Sequence, residues 1–203
     1  FMGLSHEFKT PLTLILSSVE SLGTEFKNKG ISINNEISLM YNNSRRLLRL
    51  VNQLLDYRKV EEKKFTLRAS KTNLYDFSKN IIQDFDREAK KRNIDFTLVT
   101  NNPELEVYLD QNLMDKVYFN LLSNAFKFTP EKGKISIIIK EDVQKKIVKI
   151  HFKDTGIGIP ENELMNVFTA FYQGSNNNRN SSGIGLHLSK SFIDLHKGNI
   201  EIN

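Results

Sequence analysis

Apolar residues at Phe8, Leu12, Ile15, Val19, Leu22 and Phe26 recur at intervals of four, three, four, three and four, and that spacing limits the chain's opening segment to very few folds. It is the seam of a heptad helix, narrow enough to face one partner helix. A second run follows the turn-like Asn28-Lys29-Gly30, with Ile37, Met40, Leu47, Val51 and Leu54 on the same repeat and Leu48 and Leu55 widening the stripe. Two such helices joined by a short loop form a hairpin. Its apolar stripe is too wide for one hairpin to bury, so the expected solution is a homodimer in which two copies build a four-helix bundle.

Beyond the hairpin the pattern breaks into Glu61-Glu62-Lys63-Lys64, a short alternating piece Phe65 to Arg68, and the polar Ser70-Lys71-Thr72-Asn73. This places a hairpin domain at 1–62, a linker at 63–73 and a second domain at 74–203. In that domain Leu74 to Arg92 and Asn112 to Phe128 read as amphipathic helices, and Asp95 to Val99, Glu106 to Leu109, Ile135 to Lys140 and Ile147 to Phe152 as strands. Interleaved helices and strands predict an α/β sandwich, a mixed sheet with helices on one face. The chain closes on Ile200-Glu201-Ile202-Asn203, which has the pattern of a strand with no partner after it, so the second domain is expected to be C-terminally truncated.

Composition removes several functions. The chain has 203 residues, 39% of them hydrophobic, enough for folded domains with real cores. It has no cysteine, which excludes disulfides, thiolate metal sites and cysteine nucleophiles and fits an intracellular setting. No stretch approaches the roughly 18 apolar residues of a membrane span, so any membrane segment is expected outside this piece. The net charge of +5 comes from lysines scattered in sequence, with the densest cluster, Lys90-Lys91-Arg92, at a predicted helix end where positive charge is favourable. Direct binding of nucleic acid is not demanded, because that requires cations gathered on one face with groove-entering or aromatic elements.

Ser5-His6-Glu7-Phe8-Lys9-Thr10-Pro11-Leu12-Thr13 carries the first chemistry. With Leu12, Val19 and Phe26 at heptad position a, His6 falls at b and points to water. A carboxylate lies beside it, a hydroxyl one turn later, and Pro11 removes a backbone hydrogen bond and bends the helix near the imidazole. The segment resembles the H-box of sensor histidine kinases, in which the phosphoacceptor histidine sits on the first helix of a dimerising hairpin. The resemblance implies His6 as the nucleophile, since a neutral imidazole keeps a lone pair for attack on phosphorus. It implies Glu7 as the base or orienting group and Thr10 as the residue that positions water for a phosphatase activity.

The second set of motifs lies in the α/β part. Within Asp115 to Pro130, Asn120 and Asn124 stand one helical turn apart with Lys127 on nearly the same side. Two amides facing a pocket would suit a magnesium ion carrying nucleotide phosphates. Asp154-Thr155-Gly156-Ile157-Gly158-Ile159-Pro160 follows a strand, and there a buried carboxylate could accept from the exocyclic amine of adenine while the glycines let backbone approach the ring. Phe168 and Phe171 precede the nearly apolar-free run Gly174 to Ser182, the pattern of a flexible lid. Gly183-Ile184-Gly185-Leu186 then opens a helix, whose N-terminal amides suit phosphate.

In this order the motifs resemble the N, G1, F and G2 boxes of the histidine-kinase ATP-binding domain, whose fold is shared with gyrase and related chaperone ATPases. The resemblance implies ATP and Mg²⁺ as cofactors, the metal on Asn124 with Asn120 beside it, phosphate contact from Lys127, adenine recognition by Asp154 with Gly156 and Gly158, and lid contacts from Gly183, Gly185 and Leu186. It implies autophosphorylation of His6, then transfer to an aspartate of a response-regulator receiver, separate or in the same polypeptide. The setting implied is the cytoplasmic portion of a membrane-anchored bacterial sensor. Ser181 stands where many relatives have a further glycine, and Arg179 is a candidate for the γ-phosphate. His151, His187 and His196 match no catalytic position. Two alternatives remain open here: an ATPase of the same fold that does not phosphorylate itself, and a silent dimerising scaffold. Against the first, those ATPases carry a glutamate base where this chain has Asn120, and an amide cannot take a proton.

Overall fold

In the computed structural model, the chain divides into two units, Phe1–Phe65 and Thr66–Asn203. The described residues are 13, 15–22, 24, 35–175 and 182–202, without the side chains of 35–39 and 46.

The described residues of the first unit are helical up to Glu61. Residues 15–22 form α1 and Asn35–Glu61 form α2. Val19 is buried, yet Ile15, Leu22, Met40, Leu47 and Leu54 are each 46–56% exposed, so within one chain much of the heptad stripe remains in water. α2 stops where Lys63 adopts a left-handed conformation, φ 51°, and Lys64 N–H closes back on Lys59 O at 2.8 Å. Beside that stop, Glu62 pairs with Lys64 at 2.7 Å, and the hydrogen bond from Lys64 holds its carboxyl below the usual carboxylate range.

The second unit runs β1 (Ser70–Asn73), α3 (Leu74–Lys91), β2 (Asp95–Thr100), β3 (Glu106–Leu109), α4 (Gln111–Phe128), β4 (Lys134–Asp142), β5 (Ile147–Asp154), a 3-10 turn (Glu161–Glu163) and α5 (Gly185–Leu195). β2 pairs parallel with β4, and β4 antiparallel with β5, giving the mixed sheet. β1 and β3 form a separate antiparallel pair. The residues Ser70 to Asn73, assigned to a linker above, are therefore a strand, and the unit boundary falls earlier, between Phe65 and Thr66. Their polar composition hid them. Only Thr72 turns inward, and the strand is held by its register with β3 rather than by an apolar face.

Each helix presents one stripe to the core. On α3, Leu74, Ser78, Ile81, Phe85 and Ala89 are buried, and Asn73 starts the helix by accepting from Asp76 N–H at 2.9 Å. On β4, Ile135, Ile137 and Ile139 are no more than 1% exposed. Such side chains contribute roughly 1.5–3 kcal/mol each. Tyr118 of α4 sits fully buried between Phe77 and Phe152, ring centroids 5.5 and 4.9 Å away. Its hydroxyl donates to Ser78 Oγ at 2.8 Å, since that oxygen already donates to Leu74 O. Burial drives the Tyr118 phenol upward, so it stays protonated. No helix among the described residues is long and apolar enough to cross a membrane.

Candidate nucleotide-binding site

α4 carries the amides because its inward row is already filled by Leu113, Val117, Tyr118, Leu122 and Ala125. Asn120 and Asn124 fall on the flank of that row and are half-buried. Asp110 sets where the helix begins, its Oδ1 accepting from Asn112 and Leu113 N–H at 3.1 and 3.2 Å. Arg92, at the end of α3, fixes the other end by donating to the carbonyls of Phe126 and Thr129.

Asn120 joins α4 to α5. Its Nδ2 donates to Ser189 Oγ at 2.9 Å, and Ser189 is 1% exposed. A Cβ on Gly185 would overlap Asn120 Oδ1, so the bare backbone at the start of α5 is what allows the two helices to approach. One turn beyond Asn124, the C-terminal end of α4 meets the turn that follows β5: a Cβ on Gly156 would lie 2.9 Å from Phe128 O. Gly156 N–H donates to Asp154 Oδ1 at 2.8 Å, which orients the carboxylate. Asn124 is thus one helical turn from the α5 contact and one from the Asp154 turn.

The Asp154 carboxylate was expected to be buried; it is exposed. It sits at the last position of β5, an outer strand of the sheet, where the following turn leaves it open. Gly158 has φ +72° with nothing within 4 Å of its would-be Cβ, so backbone conformation alone selects glycine there. Lys127 is exposed, its Nζ 4.8 Å from the Phe128 ring centroid. Leu186, in the first turn of α5, is half-buried.

The chain on either side of 176–181 is tied down. Phe171 N–H donates to Gly183 O at 2.9 Å, and Gly183, at φ +67°, packs so closely that a Cβ would lie 2.6 Å from the Phe171 carbonyl carbon. Phe171 itself is left-handed, φ 65°, and 55% exposed, so it is not part of the core. Val167 and Ile184 are the buried apolar side chains here. Buried Glu163 accepts from Ser175 Oγ at 2.6 Å and Ser175 N–H at 3.1 Å, and these bonds hold its carboxyl below the usual range. Ser189, Glu163 and Arg92 escaped the sequence reading, because hydrogen bonds between residues 12 to 69 apart leave no local spacing to detect. His6, Glu7, Thr10, Arg179 and Ser181 lie outside the described residues.

The donor set suits a metal that arrives with phosphate. Asn120 and Asn124 offer neutral carboxamide groups, and among the described residues no three His, Asp or Glu converge into a cage. Mg²⁺ prefers a few protein oxygens completed by water and phosphate.

Residues 1–63 match the His Kinase A (phospho-acceptor) domain family, and residues 109–203 the histidine kinase-, DNA gyrase B- and HSP90-like ATPase family. The chain belongs to the histidine kinases. This histidine kinase chain is 35% identical over 208 residues to Histidine kinase P4 of Formosa agariphila, an alignment covering all of the chain and 15% of that protein. It therefore spans a small fraction of that relative's length. The histidine kinase fold is shared with full-length ShkA in complex with AMPPNP, at TM-score 0.76 and 21% identity over 96% of this chain and 40% of that one. It is shared also with ThkA in complex with the response regulator TrrA, at TM-score 0.58 and 24% identity over 84% of this chain and 50% of that one.

Proposed function

We propose that the chain binds ATP between α4, the Asp154 turn and the start of α5, moves the γ-phosphoryl group to His6, and passes it on to an aspartate of a response-regulator receiver. The observation that carries this reading is that two elements meet α4 one turn to either side of Asn124: α5 at Asn120 through Gly185 and Ser189, and the Asp154 turn at Phe128 through Gly156.

Asp154 accepts from the exocyclic amine of adenine, with Gly156 and Gly158 leaving room for the ring. Lys127 and the first amides of α5, at Gly185 and Leu186, receive the phosphates, as helix N-termini do. Gly183 holds the approach to that helix. Asn124, with Asn120 beside it, holds Mg²⁺, which when bound neutralises charge on the phosphates. His6 attacks phosphorus through a ring nitrogen, forming the N–P bond as the bond to the leaving ADP oxygen breaks. Glu7 holds the other ring nitrogen and takes the proton. Thr10 serves the reverse sense, positioning water against a phosphorylated partner. Asn120 donates through Nδ2 to Ser189, and a neutral carboxamide cannot take a proton, so no base stands at that position to activate water. This favours transfer over simple hydrolysis.

The open heptad stripe of Ile15, Leu22, Leu47 and Leu54 supports a homodimer, and residues 63–73, β1 apart, are the hinge that lets the nucleotide unit reach His6. The nucleotide site is tested by calorimetric titration of the full chain with a non-hydrolysable ATP analogue, with and without Mg²⁺. Asp154→Asn is expected to lose affinity in both conditions, and Asn124→Ala only the gain that Mg²⁺ provides. Unchanged affinity in both variants would remove the site.

A further inference from the structure

The lysines that are scattered along the sequence gather in space. Ile135, Ile137 and Ile139 of β4 face the core, so Lys134, Ser136, Ile138 and Lys140 stand on the other side of the sheet. The register carries that outer face onto β5, where Lys149, His151 and Lys153 lie opposite Lys140, Ile138 and Ser136. Lys134, Lys140, Lys149 and Lys153 are all exposed, and none of them forms an ion pair among the described residues. Lys140 directly opposes Lys149, an arrangement of like charges that costs stability. Of the carboxylates on this face, Asp142 is 3.9 Å from Lys145, and Asp95 lies across from Lys134. Four lysines against two aspartates, with Lys145 and Lys146 on the adjoining hairpin, leave the face net positive.

Among the lysines stand exposed aliphatic side chains, with Thr97, Ser136 and His151 between them. Val99 on β2 is 52% exposed, Ile147 on β5 is 40% exposed, and Val143 at the tip of the β4–β5 hairpin is 73% exposed beside Lys145 and Lys146. Arginine, Phe, Tyr and Trp do not occur at the outward positions of the three strands, where His151 is the one ring. Protein interfaces are enriched in those residue types and depleted in lysine. Single-stranded nucleic acid is held by stacking aromatics, and bases are read by arginine forks. Flexible ammonium groups with exposed aliphatic side chains among them match a negatively charged lipid surface, which attracts lysine without demanding a fixed geometry.

We infer that the outer face of the β2-β4-β5 sheet docks on an anionic bilayer surface. None of the residues assigned to the nucleotide lies on this face, so the inference stands apart from the phosphotransfer reading. The unrelieved Lys140–Lys149 pair is then a feature with a use, since the counter-charge comes from lipid headgroups.

Sedimentation of the full chain with vesicles of phosphatidylcholine alone, and of phosphatidylcholine mixed with phosphatidylglycerol, tests it. The chain binds the mixed vesicles, not the neutral ones, and added salt releases it. Each lysine at such a surface is worth about fivefold in partition, so the K140Q/K149Q variant binds about 25-fold more weakly. K79Q/K90Q removes the same charge from α3, away from the face, and changes binding by less than about threefold because distant charges are screened. Lys140→Glu guards against a folding artefact: it turns the like pair into an opposite pair, so its melting temperature is at least that of the wild type while vesicle binding falls. Equal loss in K140Q/K149Q and K79Q/K90Q would show an effect of net charge only and overturn the inference. So would failure to bind the mixed vesicles, including the case in which poly-glutamate is bound instead.

Discussion

At the scale of single residues, the site depends on what is missing at Gly185 as much as on what Asn120 supplies. A methyl group at 185 must displace the Asn120 carboxamide from between α4 and α5. Gly185→Ala is expected to weaken binding of a non-hydrolysable ATP analogue at least tenfold, with a stability cost of about 1–3 kcal/mol for overpacking. Calorimetry and urea unfolding read the two effects, and unchanged affinity would mean that the Asn120–Gly185 contact has no part in binding. Thr129 predicts the opposite sign. Its Oγ1 is buried with no hydrogen-bond partner in the protein, so Thr129→Val removes an unsatisfied hydroxyl at nearly constant shape. The urea midpoint should rise, by about 1 kcal/mol in stability. Asn120, Asp154 and the glycines could be singled out in the sequence because their spacing is local, though the exposure of Asp154 could not. Ser189 was not: a serine inside an apolar helix reads as a small core residue until the neighbouring helix is placed beside it.

At the scale of elements, one carboxylate organises the start of α4. Asp110 caps the helix through Oδ1, takes Arg68 N–H on Oδ2 at 2.9 Å, and donates its own N–H to His196 Nε2 at 2.9 Å. His196 Nδ1 carries the proton, because it faces Phe192 O at 2.7 Å. This histidine, left without a catalytic role by the sequence, is a tie between the end of α5 and the start of α4. Asp110→Ala is expected to cost about 2 kcal/mol in chemical denaturation, the upper end for a cap. Little change would mean that the helix start is fixed by packing alone. The Glu163–Ser175 contact makes a prediction in pH. Because the folded carboxyl is held below its unfolded range, the contact stabilises above that range and is lost as pH falls through the folded value. NMR titration should place the Glu163 carboxyl lower in the wild type than in Ser175→Ala, and coincident curves would refute the contact. Most elements were legible from periodicity, to within a residue or two at their ends. β1 was not, because Ser-Lys-Thr-Asn carries no apolar alternation and its pairing with β3 is a long-range fact.

At the scale of the whole molecule, the sequence announces two units of different grammar, heptads and then alternating strands and helices, and the chain divides in that way at Phe65. The heptad stripe left in water within one chain fits a second copy, since five large apolar side chains at about half exposure are more than a solitary hairpin would keep. The basic sheet face was beyond reach of the sequence, because only the strand register brings Lys140 and Lys149 together. The phosphotransfer proposed above joins the units chemically, since it requires phosphoryl from the nucleotide site to reach His6. The most direct test incubates the full chain with Mg²⁺ and γ-labelled ATP, beside His6→Ala, and treats the product with acid and with base. Label that survives base, is lost in acid and is absent from His6→Ala is the predicted result; label retained in His6→Ala, or no label from a chain that binds the nucleotide, would contradict it.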